Sequence, residues 1–120
     1  MSAKFILTRD INSYNGFGLP ISDVDNWSTT LAANVAQTTT VPSMPFANCS
    51  GWIAVFSYSP GASVFVANNA TATIPTSSFG ATTSQLNPVG RFVKAGDVLS
   101  FITADTTDFV QVSFYAVQQQ

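Results

Sequence analysis

Reactive side chains are scarce in this sequence, and their spacing restricts what they could do. The acids are six aspartates, at positions 10, 23, 25, 97, 105 and 108; there is no glutamate, no histidine and a single cysteine, Cys49. Without an imidazole, a Ser-His-Asp or Cys-His nucleophile has no base. A Ser-Lys dyad needs a serine three positions before the lysine, and those positions hold Met1 before Lys4 and Arg91 before Lys94.

Metal chemistry is equally constrained. One cysteine and no histidine cannot supply the three or four protein ligands of a zinc site. Calcium could use aspartates and carbonyls, and Asp23-Val24-Asp25-Asn26 resembles the start of a calcium loop. The sixth position, however, is Ser28 rather than glycine, and the twelfth is Asn34 rather than glutamate. Asp105 and Asp108 flank Thr106-Thr107 in the turn of a hairpin, where Asx-turns account for them.

Paired carboxylates can hydrolyse glycosides, but the general acid must sit in an apolar cleft that raises its pKa, and every aspartate here falls in or beside a turn signal. Asp105-Thr106-Thr107 lacks the glycine of an Asp-Thr-Gly loop. Gly16-Phe17-Gly18 is followed by Ile21 where a dinucleotide fingerprint needs its third glycine. The expectation is a protein that is not an enzyme, with no catalytic residue, no metal ligand set and no cofactor.

Charge excludes further classes. The cations are Lys4, Arg9, Arg91 and Lys94, and the net charge is −2, too little positive charge to neutralise a row of phosphates. The longest fully apolar run, Trp52 to Phe56, is far below the ~20 residues a membrane helix needs. Neither nucleic acid nor membrane is an expected partner. The first residues, Met1 to Phe5, carry no signal-peptide pattern, which predicts synthesis in the cytoplasm.

The elements that must hold these residues read as strands. Hydrophobic residues make up 46% of the chain and charged ones 8%, with ten Phe, three Tyr and two Trp to bury, so a packed core is expected and disorder is not. Val110, Val112, Phe114 and Ala116 alternate with Gln111, Ser113 and Tyr115, which fixes the register of the last strand because a one-residue slip would bury the polar set. Trp52, Ala54, Phe56 and Tyr58 alternate with Ile53, Val55 and Ser57, the pattern of a strand covered on both faces. Leu31, Ala33 and Val35 alternate in an earlier strand, and Cys49 reads as a small packed residue.

Turn signals such as Ser59-Pro60-Gly61, Asn68-Asn69 and Ala95-Gly96-Asp97 divide the chain into short strands at 4–8, 29–35, 37–41, 51–58, 63–68, 71–74, 91–94, 97–103 and 109–117. This predicts one all-β domain over 1–120, an antiparallel β-sandwich, jelly-roll-like, of about eight short strands. Residues 10–28 read as an irregular arm, which either closes one end of the sandwich or docks on a neighbouring subunit. Residues 118–120 read as a frayed tail.

A sandwich that stands alone decorates its outer faces and edges with Lys and Glu. Here those positions are mostly Thr, Ser, Asn, Gln and Ala, the depletion of charge seen in interface cores. Self-association is therefore expected, with Tyr14, Phe17 and Trp27 of the arm as contact candidates and Arg9 and Arg91 as rim charges. A second reading is a carbohydrate-binding, lectin-like sandwich that stacks sugars on Trp27, Tyr14 or Tyr58.

The segments Gly16 to Asp23, Thr29 to Val35 and Thr38 to Pro42, followed by Ala81 to Pro88, Phe92 to Phe101 and Val112 to Val117, resemble small virion structural proteins of tailed bacteriophages, of the jelly-roll head-decoration or cement type. The resemblance implies a homotrimer seated on the major capsid protein or another virion protein, located in the virion, with no catalytic residue to carry over. The turn Ala95-Gly96-Asp97 is also similar to cupins, whose histidine and glutamate ligands this chain lacks.

Overall fold

A computed structural model describes residues 6–9, 15–18, 25–45, 47, 49–75 and 84–118. Among these residues ten strands run in chain order: β1 (Ile6–Arg9), β2 (Asn15–Gly18), β3 (Asn26–Ala32), β4 (Gln37–Thr40), β5 (Cys49–Tyr58), β6 (Val64–Asn68), β7 (Gln85–Leu86), β8 (Gly90–Val93), β9 (Val98–Thr103) and β10 (Thr107–Gln118). No helix occurs among the described residues.

Strands β3 to β10 form two antiparallel sheets of four, ordered β3-β10-β5-β8 and β4-β9-β6-β7. The chain passes back and forth between them, the strand order of a jelly roll. Among the described residues, the first two strands pair with each other, Leu7 opposite Phe17 and Arg9 opposite Asn15. That hairpin corrects the expectation of an irregular arm over 10–28, as does β3, which begins at Asn26. Gln118, assigned to a frayed tail, still pairs with Cys49.

The period-two reading of β10 holds. Val110, Val112, Phe114 and Ala116 are buried between the sheets, and Gln111 lies on the outer face. They meet Trp52, Ala54 and Phe56 of β5 and, from the facing sheet, Leu99, Phe101, Val64 and Val66. Burying each such side chain is worth roughly 1.5–3 kcal/mol. Trp52 is fully enclosed, its ring edge-on to Phe114 at 6.1 Å, and its indole N–H donates to the Pro42 carbonyl at 2.9 Å, so the largest core residue leaves no polar atom unpaired. Cys49 is half-buried against this core.

The strand expected at 71–74 is not one. Ala72 N–H and Thr73 N–H donate to the hydroxyls of Ser100 and Ser84 at 2.9 and 3.0 Å, so this segment lies across the outer face of the second sheet instead of joining a ladder. Val35 also departs from its expected place on a core face and is 52% exposed. The backbone there leaves the strand at Asn34, whose φ is +61° and whose N–H donates to the Thr103 carbonyl.

Candidate functional site

Two features of the described surface could receive a partner: an open groove on the outer face of the first sheet, and one edge of the sandwich. The groove follows from strand register. Across its rows Thr30 faces Phe109, and Gln111 lies between Ser28 and Ser57. Successive outward residues are polar because, among the described residues, no layer lies over this half of the sheet, with Phe109 the exception at 58% exposed. The concavity has a volume of about 520 Å³.

The edge is formed by β8 of one sheet and β7 of the other. Between them opens a cleft of about 260 Å³, reaching Phe56, Val66 and Leu99 of the interior. Leu86 on β7, Val89 in the link between the two strands and Phe92 on β8 are 42%, 69% and 52% exposed, and of these Phe92 lines the cleft. The opposite edge is closed: β3 leads directly into β4, and Gln37 of β4 accepts from Thr29 Oγ1 and donates to the Thr30 carbonyl.

Arg91 stands at the mouth of the cleft. Its Nε donates to Gln85 Oε1 at 3.0 Å and one terminal nitrogen to the Gly90 carbonyl at 2.7 Å, which occupies the guanidinium within its own edge. Arg91 is exposed. Tyr58 donates its hydroxyl to the Pro88 carbonyl at 2.6 Å. Burial holds the phenol well above its ordinary pKa, and the Arg91 charge pulls it weakly the other way.

The sequence candidates are distributed differently from the expectation. Trp27 faces inward and stacks on Phe101 with ring centroids 5.2 Å apart, so it belongs to the core margin and offers no open platform. Arg9 and Phe17 lie on the β1–β2 hairpin. Tyr14 lies outside the described residues. The structure thus does not gather Tyr14, Trp27 and Tyr58 as a described stacking site. The residues that reasoning from sequence missed are Phe109 and Val89: Phe109 was legible as an outward position in the β10 alternation, whereas nothing in the sequence marked Val89.

Carboxylates are engaged locally. Asp97 accepts from the Lys94 N–H and from the side-chain amides of Asn68 and Asn69 at 3.0 to 3.2 Å. Those donors, the Lys94 backbone first, hold its pKa below the ordinary value. Asp105 accepts from the Ser63 N–H at 3.1 Å. Asp108 is buried and accepts from Thr103 Oγ1 at 2.6 Å. No group of three metal-ligating side chains occurs among the described residues.

No protein family, curated relative or solved structure matches the chain.

Proposed function

We propose that this chain is a structural subunit of a multi-copy assembly: a non-enzymatic virion protein that assembles as a homotrimer and decorates or cements a phage head. One observation carries the reading. Among the residues whose burial is described, Val35, Leu86, Val89, Phe92 and Val98 are large apolar side chains left exposed, while the charged side chains equally exposed are Arg91 and Lys94 alone. A lone sandwich keeps such edges charged, whereas a subunit covers them with its neighbours.

The Leu86-Val89-Phe92 edge is the surface for a second copy, because the cleft behind it leads into the core and the opposite edge is already closed. Light scattering at tens of micromolar should give a mass above that of one chain, and the protein should sediment with the parent capsid. A strict monomer that leaves the capsid unoccupied would overturn the proposal.

A further inference from the structure

The geometry points to the outer groove of the first sheet as a binding site for a neutral oligosaccharide, seated on Phe109 and hydrogen-bonded by Gln111 with Ser28, Thr30 and Ser57. Whether the chain assembles is a separate question, since this groove lies on β3, β10 and β5 and the apolar edge lies on β7 and β8.

The polar groups of the groove are available. Among the described residues, the side chains of Ser28, Thr30, Ser57 and Gln111 make no hydrogen bond to protein, while the nearby Thr29 and Ser59 hydroxyls are engaged with Gln37 and the Phe109 N–H. Each free hydroxyl both donates and accepts, and the amide does the same through separate atoms. That dual capacity matches sugar hydroxyls, which need both.

The spacing suits the same ligand. Phe109 and Gln111 are two residues apart on one face of β10, roughly 7 Å, and the flanking strands stand about 4.8 Å to either side. A pyranose whose C–H face rests on the Phe109 ring would therefore bring its hydroxyls within reach of the Gln111 amide and the serines. The volume of about 520 Å³ falls within the ~300–1,000 Å³ of small-ligand sites.

Other ligand classes fit less well. Among the described residues, no cation lines the groove to hold a phosphate, sulfate or acidic sugar, and no carboxylate lines it to hold calcium. A lipid would strip water from three hydroxyls and an amide without replacing their hydrogen bonds. What remains is an uncharged, polyhydroxylated ligand with one apolar face.

The test is a titration of the intact protein, followed by NMR amide shifts, with maltohexaose, cellohexaose and chitohexaose. At least one should bind in the micromolar to millimolar range and shift the amides of residues 28–30, 57–59 and 109–111. Phe109→Ala should weaken that binding at least tenfold and Gln111→Ala about threefold, with Thr38→Ala on β4 of the second sheet unchanged and the β-sheet spectrum retained throughout. Absence of binding to all three at millimolar concentration, or binding that Phe109→Ala leaves intact, would overturn the assignment.

Discussion

Phe92 lies so close over Gly51 that a Cβ at position 51 would sit 2.5 Å from the ring's Cζ and 2.7 Å from the Val93 carbonyl oxygen. Glycine is needed there for close approach: Gly51 is buried on central strand β5, and the edge strand β8 presses its aromatic side chain against the bare Cα. Through this contact Phe92 is held on the rim of the apolar edge while remaining half exposed.

Gly51→Ala should destabilise the fold by about 1–3 kcal/mol, the cost of overpacking. The ring could swing aside, but the Val93 carbonyl belongs to the strand backbone and cannot. Urea denaturation of Gly51→Ala in wild-type and Phe92→Ala backgrounds would check it. The expected outcome is a smaller, nonzero cost when the ring is gone, leaving only the backbone part of the clash.

Val89→Asp should disperse the assembly and spare the fold. Val89 is 69% exposed, so the substitution removes little buried area and the unfolding free energy should change by no more than about 0.5 kcal/mol. A charge placed inside an apolar contact has to be desolvated, and association should therefore weaken by an order of magnitude or more. Sedimentation equilibrium of the variant beside wild type measures it; an unchanged mass would take this edge out of the interface.

Thr103→Val should be far more damaging than its near-identical shape suggests. The Thr103 hydroxyl is fully buried and offers its single proton to Asp108 Oδ2 at 2.6 Å and the Ser63 carbonyl at 2.8 Å, while accepting from the Asp105 N–H at 3.1 Å. Valine leaves a buried carboxylate without that donor, a loss of about 1–3 kcal/mol or more. Thr103→Ser keeps the hydroxyl and should recover most of the stability in thermal melts.

Much of the sandwich is legible in the sequence because β3, β5 and β10 carry an alternation of inward and outward residues. Val110 to Ala116 could be assigned to one face before any coordinates, since the polar residues between them could not be buried. Strand β7 was not legible: two residues carry no period, and Gln85 and Leu86 become a strand only by pairing with Val66 and Phe65. Segment 71–74 misled for the opposite reason, having strand composition while its amides donate to serine hydroxyls instead of a ladder. A strand reading that begins at residue 29 leaves Trp27 in the arm. Extending the alternation back through Trp27, Thr29 and Leu31 puts the indole on the core side, where it stacks on Phe101. The surface sites were less visible still, for exposure of Val89 and Phe109 depends on which neighbours the topology withholds from them.

Acid should weaken the clamp around Asp97. The carboxylate accepts from the Lys94 N–H and from Asn68 and Asn69, tying the end of β6 to the turn before β9, where Gly96 takes a φ of +86° and the Asp97 N–H closes back on the Lys94 carbonyl. Its folded pKa is depressed, so the stability it contributes is fully present above the unfolded aspartate value of about 3.9 and is lost as pH falls through the lower folded value. Asp97→Asn should therefore be less stable than wild type at neutral pH, and the difference should shrink as both are acidified below about pH 4. Urea titrations at neutral pH and at successive acid steps would measure it, and a gap that stays constant with pH would show that the charge on Asp97 is not what holds this turn.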